Sequence, residues 1–168
     1  MSGPTRRQVL LFLRMSLPVH LLGGALLTGI GAAIARYLAA PVDVGLYLMG
    51  QLLVGLIQIT GHYLLAYHNA GDDSPPSAAG FVALRAAAVG ADGLPRKVAE
   101  LAAIFSGGLA AVVATGLLIQ GSVPPVAWLL LAALLLAFFA YSVPPVALER
   151  SGYGEVILSI ILGVLLPA

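Results

Sequence analysis

Cysteine is absent from the chain. That excludes disulfides, thiolate nucleophiles and every metal site that depends on a sulfur ligand. Charge is nearly as scarce: only 9% of the 168 residues are Asp, Glu, Lys or Arg, against roughly 25% in a soluble domain. A chain so poor in charge cannot cover its own surface in water. Its net charge of +1 at pH 7 offers no extended basic surface, which argues against a nucleic-acid partner.

What the chain has instead is apolar length. Hydrophobic residues make up 60% of it and the mean hydropathy is +1.02. The expected class is all-α, a polytopic transmembrane helical bundle in a cell membrane. Apolar runs at about 17–38, 44–65, 98–119 and 123–143 each approach the roughly 20 residues that cross about 30 Å of hydrocarbon as helix. A fifth run, 156–168, is too short for that, and reads as a span truncated part-way.

Arg6, Arg7 and Arg14 precede the first run. A cleaved signal peptide is one explanation; the length of the run and its lack of a polar cleavage region favour a retained anchor. Phe12 and its leucine neighbours, with Arg7 and Arg14, fit a short interfacial helix before Pro18. With spans placed as above, Arg6, Arg7, Arg14, Arg85, Arg96, Lys97 and Arg150 fall on one side of the membrane and Arg36 alone on the other. The positive-inside rule then puts the N-terminus and both polar stretches in the cytoplasm.

Those polar stretches are GHYLLAYHNAGDDSPPSAAG at 61–80 and YSVPPVALERSGYGE at 141–155. They are expected to share one membrane face and to look toward one ligand. The first grows out of a helical stripe. Gln51, Gln58, His62, Leu65, Asn69 and Asp73 are spaced by seven, four, three, four and four, so they lie along one side of a helix. Polar members of that stripe are costly against lipid and should face the bundle or a wet cavity, either as interhelical glue or as a site. His20, near the start of the first span, is either a pocket residue or an interfacial one. Trp128 reads as a headgroup-level anchor.

A carboxylate and a carboxamide at the rim, Asp73 and Asn69, offer the oxygen ligands that Mg²⁺ takes. Arg85, Arg96 and Lys97 follow closely and suit a phosphate. They equally suit lipid headgroups. Together these groups fit a ligand with an anionic head and an oily tail.

The second stretch resembles a known signature. In the UbiA superfamily of intramembrane prenyltransferases a span ends in Tyr-Ser/Thr-x-Pro-Pro-x-x-Leu and continues through a Gly-Leu-Gly-Glu turn. Tyr141, Ser142, Pro144, Pro145 and Leu148 match it here, as do Gly152, Gly154 and Glu155, with Tyr153 in place of the leucine. The branch it is most similar to prenylates 1,4-dihydroxy-2-naphthoate in menaquinone synthesis. The first stretch matches less well. Family members carry Asn-Asp/Glu-x-x-Asp-x-x-x-Asp there; with its last aspartate on Asp73, this chain has Asn69 at the middle aspartate and Leu65 and Ala66 at the opening pair. The family has nine spans and a second aspartate-rich motif after the fifth, so residues 1–168 would form a partial UbiA-like domain, inactive alone.

The resemblance implies Mg²⁺-dependent transfer of a polyprenyl group from an allylic diphosphate to an aromatic quinone precursor. It implies that Asn69 and Asp73 are the catalytic, metal-binding pair, and that Arg85, Arg96, Lys97 and Arg150 contact the diphosphate. Gln58, His62, Tyr67 and Tyr141 would then face the acceptor or the tail. Two alternatives stay open: a catalytically impaired homologue that binds isoprenoid, and a transporter-like bundle whose span-two stripe lines a solute path.

Overall fold

A computed structural model describes residues 5–70, 89, 93–143, 145–146, 148 and 153–166. Among the described residues six helices follow one another, and there is no sheet, only an isolated bridge between Val89 and Leu94.

The first helix, α1 (Arg6–Ser16), is opened by a capping box: Thr5 Oγ1 accepts from the Gln8 backbone N–H, and the Gln8 side chain accepts from the Thr5 N–H. It ends at Leu17, whose backbone is left-handed (φ 46°, ψ 66°). Pro18 then occupies the first turn of α2 (Pro18–Tyr37), where its missing N–H is no loss. The interfacial helix expected before Pro18 is therefore a separate element. Asp43 caps α3 (Val44–Asn69) by accepting from the Leu46 N–H. This helix runs past the expected end near residue 65, because nothing in HYLLAYHN breaks it before Gly71.

After Val89 and Leu94, which are both buried, Pro95 leads into α4 (Arg96–Gln120). Gly121, at φ 67°, closes that helix in the left-handed conformation that glycine adopts freely. Then come α5 (Pro125–Ser142) and α6 (Gly154–Ile160), the latter continuing as a π-helical turn, Ile161–Leu165. Three helical stretches are long and apolar enough to cross a membrane: Arg6–Tyr37, α3 and α4. The fourth expected span is shorter than read. Pro124 and Pro125 delay its start, and Val143, extended ahead of Pro144, ends it, leaving 18 residues.

The bundle is organised around α3. Its face toward α4 is closed by small residues. Leu53 and Ile57 pack with Ala110, Val113 and Leu117, while Tyr63 and Ala66 pack with Ala99, Ala103, Met15 and Val89. Much of the remaining surface is large and apolar, including Phe105, Val112 and Leu136. Such a surface is stable only against hydrocarbon.

Candidate functional site

Helix directions bring the helix ends that lead into the two polar stretches to one end of the bundle. The Thr60 and Ser106 hydroxyls lie 2.8 Å apart and the Arg96 guanidinium lies 4.0 Å from the Tyr67 ring centroid, so α4 runs antiparallel to α3. Helix α5 runs parallel to it: Trp128 packs with the Leu53 layer, and Phe138 touches the Gly61 layer, where a Cβ would come within 3.2 Å of the Phe138 ring. Tyr141, three residues beyond Phe138, is thus level with Leu64, about 8 Å below Asn69 at 1.5 Å per residue. Helix α1 docks at the same end through Ser16, whose hydroxyl is 2.9 Å from that of Tyr63.

At this end Tyr67 is half-buried between His68, with ring centroids 5.1 Å apart, and the stacked Arg96. Asn69 is the last residue of α3 and is half-buried; Tyr141 is half-buried in the last turn of α5. Lys97 is exposed and pairs with Glu100 at 3.0 Å. Asp73, Arg85 and Arg150 lie outside the described residues. Among the described residues no three His, Asp or Glu side chains cluster, and the metal reading rests on Asp73. Of the predicted site residues, then, the fold joins Tyr67 to Arg96 and sets Asn69 and Tyr141 at the same end.

The rest of the stripe faces the bundle, one of the two surroundings expected for it. Gln58 and His62 are buried as expected, but what they meet is α2. His62 packs edge-on against His20, ring centroids 5.6 Å apart. Gln58 lies on Gly24 so closely that a Cβ there would overlap the carboxamide, 2.7 Å from its Cδ. Gln51 accepts from the Thr28 hydroxyl. Residues 20, 24 and 28 of α2 thus meet 62, 58 and 51 of α3 in an antiparallel ladder, and His20 belongs to it. Two buried atoms in the ladder, Gln58 Oε1 and His20 Nδ1, have no hydrogen bond among the described residues, and Gln58 is only 4% exposed. Leu65 and Ala66, at the two positions where the resembled motif has oxygen donors, are each 2% exposed, and Ala66 belongs to the packed core.

Two cavities of about 400 Å³ flank α3. One, almost wholly apolar, begins beneath the polar end at Leu64 and Phe139 and descends past Gly61 and Ala110 to Trp128. Trp128, in the first turn of α5, is half-buried in this packing, because the alanines of α4 leave room for the indole. The second cavity lies toward the other end, where Thr28, Asp43, Tyr47 and Gln51 contribute its polar wall. Sequence reasoning missed both cavities, since each forms where small residues of one helix face large ones of another.

No family model, curated protein or solved structure matches the chain.

Proposed function

We infer that the chain is part of an intramembrane prenyltransferase of the UbiA type, taking an allylic polyprenyl diphosphate as donor and an aromatic quinone precursor as acceptor. One observation carries this reading most directly. The helix ends that lead into the two polar stretches meet at one end of the bundle, directly above an apolar cavity fit for an isoprenoid tail. An anionic head and an oily tail would find complementary surroundings in that order along α3.

In this reading the basic loop faces the cytoplasm. Asn69 and Asp73 supply the oxygen donors that Mg²⁺ prefers. The cation, when bound, offsets charge on the leaving diphosphate. Arg85, Arg96 and Arg150 add charge-assisted hydrogen bonds to its oxygens, with Arg96 steadied on the Tyr67 ring. The acceptor's aromatic carbon bonds to the allylic carbon as the carbon–oxygen bond to diphosphate breaks, and that ring carbon then gives up its proton to the departing diphosphate, or its carboxyl group as CO2, in a compartment that bulk water does not reach. Tyr67 and Tyr141 stand at the polar end of the bundle, above the cavity rather than in its wall. Gln58 and His62 act from the α2 interface, setting the position of α3.

Leu65 and Ala66 favour a second reading, a homologue that binds isoprenoid diphosphate without turning it over, since both are committed to packing. Purified full-length protein separates the two. Mg²⁺-dependent transfer from farnesyl diphosphate to 1,4-dihydroxy-2-naphthoate, abolished by Asp73→Asn, supports the enzyme; binding without transfer supports the second reading. Absence of binding, with or without Mg²⁺, sinks both.

A further inference from the structure

We propose that Trp128 is the stop that sets how long an isoprenoid tail the bundle accepts. The assignment rests on the prenyl-binding reading above and concerns the far end of the tail, where that reading names no residue.

The two cavities beside α3 are neighbours. Leu53, Trp128 and Leu131 line both of them, so these three side chains form the wall between. Elsewhere the linings diverge: Gly61, Leu64 and Phe139 belong to the first alone, and Asp43, Tyr47 and Leu165 to the second alone.

The sequence of α4 explains why the wall stands at this level. Down the side that faces the first cavity come Gly107, Ala110, Ala111 and Ala114, none with a side chain beyond Cβ. Less than one turn further, Leu117 is the next large residue toward the wall; it is 3% exposed and packs in one cluster with Leu53 and Trp128. On the α5 side of that layer stands the indole. It is the largest of the three shared side chains and a rigid plane, so its removal would join the two cavities.

Tail length follows from this geometry. From Leu64 at the polar end to Leu53 in the wall, α3 rises about 16 Å at 1.5 Å per residue. An extended carbon chain advances about 1.2 Å per bond, as an extended polypeptide does, so an isoprene repeat of four chain bonds adds about 5 Å. About three repeats, a farnesyl tail, therefore reach from the mouth of the cavity to the indole. A fourth has no room while Trp128 is in place. Without the indole the tail continues into the second cavity, whose nearest walls, Val54, Leu130 and Leu134, are equally apolar.

Equilibrium binding to the full-length protein tests this without requiring turnover. The probes are geranyl, farnesyl and geranylgeranyl diphosphates, each brominated at the far end of the tail so that it quenches a nearby indole. The emission that Trp128→Phe removes is that of Trp128, and quenching is read on this difference. The farnesyl probe should quench it strongly and the geranyl probe weakly. Affinity should fall at least tenfold from farnesyl to geranylgeranyl. Trp128→Ala should bring the two within twofold of each other. Ala114→Leu, which keeps the indole and fills the cavity just above the wall, should shift the preference to geranyl. Leu130→Ala, which lines the second cavity alone, should leave the order unchanged. The stop is overturned, with the prenyl reading intact, if the unsubstituted protein binds all three probes equally, or if folded Trp128→Ala or Ala114→Leu protein keeps the original order of affinities. It is also overturned if the geranyl probe quenches Trp128 as strongly as the farnesyl probe. If none of the three binds, the stop and the prenyl reading fall together.

Discussion

Toward α4, helix α3 presents Leu53, Ile57 and Ala66 to alanines and valines, with the Thr60–Ser106 pair as a buried hydrogen-bonded tie. Toward α2 it presents Gln51, Gln58 and His62 to Thr28, Gly24 and His20. Both interfaces lie within a membrane, where apolar surface gains little by leaving lipid for protein. Helices there are held by close fit and by hydrogen bonds. The α4 side relies on fit, and its buried atoms are nearly all carbon. The α2 side relies on polar contacts, and it leaves the buried acceptor Gln58 Oε1 unmatched. An interface selected for stability alone would not retain that acceptor, since an orphaned buried oxygen costs about 1–3 kcal/mol.

The largest test of this contrast is Gly24→Val. Its side chain must occupy the space of the Gln58 carboxamide, and the loss should be about 2–3 kcal/mol, read by unfolding in detergent micelles. Adding Gln58→Ala should recover most of it, because residues in contact are energetically coupled; strict additivity would mean that the two helices are not joined here. Ala103→Leu probes the fitted side. Overpacking should cost about 2 kcal/mol, and no change in α2 should rescue it.

Gln58→Met should have the opposite sign, a gain of about 1 kcal/mol as the unmatched oxygen is removed. If that variant is less stable than the parent, the carboxamide is satisfied and the contrast fails. Smallest is Thr60→Val, which removes the hydroxyl tie to Ser106 of α4. A loss of about 0.6 kcal/mol is expected, and a loss several times larger would show that this interface also depends on polar contacts.

Most of the helical layout was legible because length and apolarity dictate it. Pro18, Pro95 and the Pro124–Pro125 pair mark helix starts close to where they occur. The inward direction of the stripe was legible too, because Gln58 and His62 could not face lipid at tolerable cost. Its destination was not. Spacing along α3 says which residues share a side, but the matching set of His20, Gly24 and Thr28 is meaningful only once α2 is known to lie antiparallel against it. The cavities were hidden for the same reason, since they are differences between two surfaces. The placing of the spans pointed to a shared membrane face for the two stretches, and the directions of α3 and α5 bring the helix ends that lead into them to one end of the bundle. Asp73, Arg85 and Arg150 lie outside the described residues.

Leu17 has a mechanical consequence. A leucine held at φ 46° sits in a conformation that costs an L-residue roughly 1–2 kcal/mol, and the side chain is nonetheless only 7% exposed. The bend is therefore imposed by what surrounds it, as a bracket is clamped rather than hinged. A pull on the N-terminal arm would not swing it about a loose joint; through Met15 and Ser16 it would be delivered to Tyr63, in the middle of the molecule's central column.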